Sequence, residues 1–397
     1  MHRRRLLTVI ITLTTAVFVS FPAVGASAGI ARGSFKETDL VSDIPGRAQH
    51  LDPNLVNPWG ISASATSPMW VSDNGAGVTT LYNGAGMALA LVVKIPKPDN
   101  SDGGTPTGTV FNGNGAEFNG DRFLFATEDG TIAGWNPAVN LTRARIEVNR
   151  SAVGDGAVYK GLAIGNNGSS DHIYAANFRF GAIEVFDAGY HMVSLSGSFT
   201  DPGIPAGFAP FNIQNLGGAL FVSYAKQDAD KHDDVAGPGN GFVDVFDLNG
   251  NLLRRLASGG TLNSPWGLAI APSTFGNFHN NLLVGNFGDG RINAFDVDSG
   301  EFDSPLIDPE GNPLTINGLW ALQFGNGAPN GGNGICRCPP RRTHCSTLRI
   351  AARDNRDRSG FSGANPASFR PRPKAVTPMS PSAPARCPMA KPCSFPS

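Results

Sequence analysis

Apolar and polar residues alternate with a period of two in short runs along most of this chain, and the runs stop at clusters of Gly, Pro, Asn and Asp. Gly181-Ala182-Ile183-Glu184-Val185-Phe186 is one such run, and Asp247-Leu248-Asn249-Gly250 is one such stop. Alternation bounded by turn formers predicts short half-buried β-strands joined by tight hairpins.

The strands recur in units. A turn-and-glycine signature opens them: Asn57-Pro58-Trp59-Gly60-Ile61, Tyr159-Lys160-Gly161-Leu162, Ala209-Pro210-Phe211-Asn212-Ile213, Ser264-Pro265-Trp266-Gly267-Leu268 and Ile316-Asn317-Gly318-Leu319-Trp320. Positions 161, 212, 267 and 318 are separated by 51, 55 and 51 residues. A second landmark is an aromatic before Asn or Asp: Tyr82-Asn83, Trp135-Asn136, Phe186-Asp187, Phe246-Asp247 and Phe295-Asp296. The aromatic suits burial between adjacent sheets, and the short polar side chain suits bonding to the turn backbone. Another apolar strand lies between the landmarks, as in Phe123-Leu124-Phe125-Ala126, so each unit offers about four strands, the content of one propeller blade.

A β-sandwich also has evenly spaced strands, but repeated landmarks favour radial repetition. The expected fold class is therefore all-β, a six-bladed β-propeller over 34–334 with an incomplete sixth blade. Blades are expected near 54–95, 106–150, 156–200, 206–257, 262–306 and from 314. Glycine at the start of a first strand fits convergence on an axis, where a β-carbon would crowd its neighbour. Ser34 to Val41 is expected to supply the outer strand that closes the ring.

Composition changes the picture at the two ends. Met1-His2-Arg3-Arg4-Arg5, an apolar run from Leu6 to Val24 and Ala26-Ser27-Ala28 have the order of an export signal, expected to cover 1–28. A secreted or periplasmic bacterial protein with no membrane span after cleavage is the corresponding expectation. All five cysteines, Cys336, Cys338, Cys345, Cys387 and Cys393, fall in the last 62 of 397 residues. The formal charge of -1 hides a balance of +10 from Ile335 onward against -14 for the body without its signal arginines. An acidic body argues against nucleic acid and anionic membranes as partners.

Pro-x-Gly-apolar, then Asp or Asn after a strand, then Val-Phe-Asp-x-x-Gly resembles NHL-type propellers. Asn57 to Gly60, Ala126-Thr127-Glu128-Asp129-Gly130-Thr131-Ile132, and Tyr224 to Phe246 are more closely similar to an uncharacterised family of secreted bacterial propeller proteins. That resemblance covers about Phe35 to Gly327 and implies the fold, without an established activity.

Residues 335–397 break the pattern in mid-blade. This Arg, Pro and Ser-rich stretch has no Trp or Tyr, and its composition predicts a disordered tail. Its Cys and His spacings match no standard zinc site. The codons allowed for His344-Cys345-Ser346-Thr347-Leu348-Arg349, read from the third base, can encode Leu-Phe-Tyr-Thr-Ala. A shifted reading frame is the corresponding expectation.

Candidate chemistry lies after the second strand of most units: Asp73 with Asn74, Glu128 with Asp129, Asn177, Tyr224 with Lys226, and Asn286. Radial repetition would gather these at one rim, where oxygen ligands suit Ca2+ or another divalent cation. Turn capping within each blade explains the same Asp and Asn residues without any ligand. The fourth unit carries an insertion with Asp228, Asp230, His232 and Asp233, residues able to ligate a metal, or to place a histidine base beside carboxylates. From Ser34 onward no Gly-x-Ser-x-Gly elbow, His-Glu-x-x-His helix or phosphate loop occurs.

The expectation is a secreted propeller binding a small molecule, glycan or protein at that rim. A metal-dependent, lactonase-like hydrolase is one alternative, although the early catalytic Glu of sugar lactonases is missing. A purely structural surface module is another.

Overall fold

The computed structural model describes residues 34–327 and, as backbone, the strands Leu348–Asp354 and Arg370–Pro378. The expected export signal, all five cysteines and the segment read for a frame shift up to Thr347 lie outside the described residues.

Five four-stranded antiparallel blades follow one another along the chain. Blade 1 is Pro58–Ser62, Met69–Asp73, Val78–Tyr82 and Ala88–Lys94. Blade 2 is Pro106–Phe111, Phe123–Thr127, Thr131–Trp135 and Arg145–Asn149. Blade 3 is Tyr159–Asn166, Asp171–Asn177, Ala182–Phe186 and Met192–Val193. Blade 4 is Phe208–Leu216, Ala219–Lys226, Phe242–Phe246 and Leu252–Ser258. Blade 5 is Pro265–Ile270, Asn281–Asn286, Ile292–Asp296 and Phe302–Pro305.

Five blades, not the expected six, are thus built from consecutive strands. The sequence repeat fails after Phe324, and among the described residues the next strands are Leu348–Asp354 and Arg370–Pro378. A composite sheet stands there instead, in the order Phe35–Asp39, Arg370–Pro378, Leu348–Asp354, Leu319–Phe324. Phe35–Asp39 holds the outer position expected of it. The two tail segments were expected to be disordered; as strands they pair the backbone edges that Leu319–Phe324 and Phe35–Asp39 would otherwise leave open.

First strands of successive blades touch in ring order, and Leu319–Phe324 links blade 5 back to blade 1. The glycines show how close this approach is. A β-carbon on Gly60 would stand 2.4 Å from the Thr107 carbonyl oxygen of blade 2, one on Gly108 2.4 Å from the Leu162 nitrogen of blade 3, and one on Gly267 2.6 Å from the Trp320 carbonyl oxygen. Side chains are excluded there by neighbouring backbone, as convergence on an axis requires.

Apolar clusters fill the spaces between sheets. Phe186 packs with Leu124, Ala126 and Ile132 of blade 2, Phe246 with Tyr174 and Val185 of blade 3, and Phe295 with Phe221 and Val245 of blade 4. The landmark aromatic of each of these blades therefore anchors it to the blade before. The following polar residue caps its hairpin: Asn83 Oδ1 accepts from Ala85 and Met87, Asp187 Oδ1 from Gly189 and His191, and Asp247 Oδ1 from Asn249 and Asn251. No helix among the described residues is long and apolar enough to cross a membrane.

Candidate functional site at the axis mouth

Pairing of the first two strands fixes which residues reach the axis. Pro58 pairs with Asp73, Pro106 with Thr127, Tyr159 with Asn177, Pro210 with Tyr224 and Pro265 with Asn286. Asp73, Thr127, Asn177, Tyr224 and Asn286 are therefore equivalent, and all five are buried. The next residues, Asn74, Glu128, Phe178, Ala225 and Phe287, fall on the opposite face because strand side chains alternate. On the first strands the residues just before the axis-facing glycine or its counterpart are Trp59, Thr107, Lys160, Phe211, Trp266 and Trp320.

These two rings meet at the axis. Trp59, Phe211, Trp266 and Trp320 form one cluster with Phe178 and Ala225, and Phe287 packs against it. Trp59 stacks on Trp320 at 3.5 Å between ring centroids, Phe287 stacks on Trp320 at 4.0 Å, and Trp266 meets Trp320 edge-on at 5.7 Å. The indole Nε1 groups of Trp59, Trp266 and Trp320 are buried and have no hydrogen-bond partner. Each unpaired buried donor carries a desolvation cost, which a bound acceptor would relieve.

Lys160 is the one cation in this ring and is 1% exposed. Its ammonium lies 5.1 Å from the Trp59 ring centroid and donates to Glu128 and, at 3.2 Å, to Asp233 Oδ1. Burial pushes the Lys160 pKa down, but the Glu128 and Asp233 charges outweigh it and leave the amine above its ordinary value. A protonated amine has no lone pair, so Lys160 acts here as a fixed charge rather than a nucleophile.

Glu128 also accepts from Asn74 Nδ2 at 2.8 Å, and Asn57 Nδ2 donates to Asn74 Oδ1 at 3.0 Å. Blades 1, 2 and 3 and the blade 4 insertion are thereby tied together. Partial burial raises the Asp233 pKa, but the His232 hydrogen bond and the Lys160 charge prevail and hold it well below the carboxylate range. Its neighbour Asp234 is pushed up to about 6 by burial, against lowering effects from Ser264 and Lys160.

The residues expected at one rim separate into two groups. Asn74, Glu128, His232 and Asp233 do come together. Asp73 lies inside blade 1, where Thr80 donates to it at 2.7 Å and burial drives its pKa far up. Asn177 Oδ1 accepts from the Val158 and Phe180 amides, and Asn286 donates to the Thr261 carbonyl at 2.8 Å. Asp129 accepts from the Thr105 amide at 2.7 Å, Tyr224 is buried within blade 4, and Lys226 and Asp230 are exposed. Asp228 Oδ1 caps its own loop at the His232 amide. Of the residues the sequence reading does not single out as site groups, Trp59, Lys160 and Trp266 stand just before the repeat glycine and Trp320 just before its counterpart Ala321; their signal is constant position rather than residue type.

Ligand atoms of Glu128, His232 and Asp233 lie within 4.8 Å of one another, the spacing of a cation site. The Lys160 ammonium already bonds both carboxylates, so a Ca2+ ion there would face a buried positive charge at close range. Tight Ca2+ sites take six to eight oxygen ligands, and this cluster is a poor fit.

Two proteins of Acanthamoeba polyphaga mimivirus match most of the chain. Uncharacterized protein R648 is 35% identical over 302 residues, covering 73% of each chain. Uncharacterized protein L690 is 36% identical over 306 residues, covering 74% of this chain and 79% of its own. This chain belongs to the R648/L690 family. These relatives are viral, whereas the sequence resemblance implied a bacterial family. No family model matches the chain.

Among solved structures, a glucose dehydrogenase aligns with a TM-score of 0.50 at 11% identity, over 87% of this chain and 100% of its own. A virginiamycin B lyase from Staphylococcus aureus, solved with quinupristin, gives 0.48 at 12% over 87% and 99%. At 11% identity the glucose dehydrogenase alignment speaks for a shared fold alone.

Proposed function

We propose that this protein is a binding propeller whose axis mouth takes a small polar ligand, a saccharide being the class that suits it best. The carrying observation is the joined set Asn74, Glu128, Lys160 and Asp233, four residues from three blades and one insertion, beside a ring of aromatic faces. Aromatic surface with a few placed polar groups is the usual composition of a small-ligand site. Stacking holds the apolar face of a sugar ring, and amide, carboxylate and ammonium groups bond its hydroxyls.

An exported setting accords with this reading, since the described body carries no cysteine and needs no reducing compartment. A divalent cation held by Glu128, His232 and Asp233, with lactonase-like hydrolysis, is the second reading, favoured by the spacing of those three groups. Tryptophan fluorescence during titration with neutral sugars and uronic acids tests the first. Saturable change abolished by Glu128→Ala is expected; no change with any sugar contradicts it. Turnover of a lactone that depends on added Ca2+ would support the second reading instead.

A further inference from the structure

We propose that the axis mouth is built for a carboxylate-bearing ligand, and that the Asp233 side chain holds the carboxylate position when no ligand is bound. This deepens the binding function proposed above and rests on it. Three features carry it: the exposure of the two Lys160 partners, the anchoring of the blade 4 insertion, and the kind of polar atom left without a partner.

The two acids paired with Lys160 differ sharply. Glu128 lies at the end of a blade strand with its side chain 13% exposed, whereas the Asp233 side chain is 65% exposed and reaches Lys160 from the insertion. The insertion does not depend on that contact. Its backbone is closed by the Asp228 amide on the Asp233 carbonyl at 2.8 Å and the Val235 amide on the Lys226 carbonyl at 2.8 Å, and Asp228 Oδ1 caps the His232 amide. The Asp233 carboxylate can therefore leave by side-chain rotation while the loop keeps its form. Water-facing Asp233 and water-shielded Lys160 make one anion exchangeable for another at this point of the axis mouth.

The aromatic cluster itself offers donors. Its buried polar atoms without partners are three indole N–H groups, Trp59, Trp266 and Trp320, while the unpartnered acceptors nearby, Asn57 Oδ1, Asn212 Oδ1 and Asp234 Oδ2, lie outside the cluster. Unpaired donors beside an ammonium favour a ligand that brings acceptor oxygens and negative charge. Trp59 and Phe287 both stack on Trp320, and the partly exposed Phe287 is the aromatic surface on which a ring attached to that carboxylate would rest. A uronic acid combines both features.

The test uses the full-length protein with D-glucuronate and D-glucose as probes, followed by calorimetry and tryptophan fluorescence. Glucuronate is expected to bind at least tenfold more tightly than glucose. Asp233→Asn, an exposed change that removes the competing charge, is expected to raise the preference for glucuronate over glucose severalfold. Lys160→Met is expected to erase the preference. Should Lys160→Met not fold, the Asp233→Asn comparison alone decides. Equal binding of both sugars in the wild type and in Asp233→Asn would overturn the carboxylate inference while leaving the binding site in place. Absence of any response to either sugar in both proteins would remove the binding site as well.

Discussion

Asn74 donates to Glu128 at 2.8 Å across the boundary between blades 1 and 2, while Asp73, one residue earlier, faces the opposite way into the core of blade 1. One step along a strand separates an axis group from a structural one. Binding should follow that division. Asn74→Ala is expected to weaken sugar binding severalfold, and Asp73→Asn to leave it unchanged; equal losses from both, measured by calorimetry, would contradict the assignment.

Lys160 and Glu128 come from neighbouring blades and are both shielded from water. Removing one partner of a buried ion pair strands the other, at a typical cost of about 3–5 kcal/mol. Urea unfolding of Lys160→Met, Glu128→Gln and the double variant should show the double change costing less than the two single changes combined. Additive costs would mean the pair is not coupled.

Gly161 faces Asn212 of the next blade so closely that a β-carbon would stand 2.7 Å from the Asn212 Cα. Gly161→Ala must push two first strands apart, and overpacking of this kind costs about 1–3 kcal/mol. Gly181→Ala is the control for strained backbone alone, because a β-carbon there meets nothing within 4 Å although φ is +65°. Thermal melting should place Gly161→Ala below Gly181→Ala.

Burial lifts the carboxyl pKa of Asp121 to about 6, Asp234 to about 6 and Asp244 to about 7. A group that holds its proton more tightly folded than unfolded contributes stability that is full below the unfolded pKa and is lost as pH rises through the folded value. Melting temperature should therefore fall as pH climbs from about 5 to about 7.5, and Asp244→Asn should flatten that slope. Acids held low, such as Asp201 beside Arg255, work the other way and weaken the fold as pH drops below their unfolded pKa. A melting temperature flat from mildly acidic to neutral pH, or a slope unchanged in Asp244→Asn, would contradict the assignment.

Much of the ring was legible because its devices are local. Phe186-Asp187 and Phe246-Asp247 announce a buried aromatic followed by a capped hairpin, and Gly60, Gly161 and Gly267 announce close approach of backbones. The rim was harder, because strand alternation makes a one-residue offset decisive. Asp73-Asn74 invites alignment with Glu128-Asp129, whereas the pairing aligns Asp73 with Thr127 and Asn74 with Glu128. Pro106-Thr107-Gly108 is hard to recognise as a unit opening because Thr107 lacks the aromatic of its counterparts, and Gly318 imitates the position that Ala321 occupies beside Gly267. The blade count failed where the repeat itself ends, since partners drawn from Leu348–Asp354 and Arg370–Pro378 follow no period in the chain.

The most direct test of the axis-mouth site uses the five tryptophans as reporters. Trp70 and Trp135 pack together between blades 1 and 2, where Trp135 Nε1 already donates to the Leu141 carbonyl at 3.0 Å. Two-dimensional NMR of protein carrying 15N-labelled tryptophan resolves each indole N–H during titration with glucuronate. The account predicts that the Trp59, Trp266 and Trp320 signals move while those of Trp70 and Trp135 stay in place. Movement of Trp70 and Trp135 alone, with the three axis indoles unmoved, would contradict it.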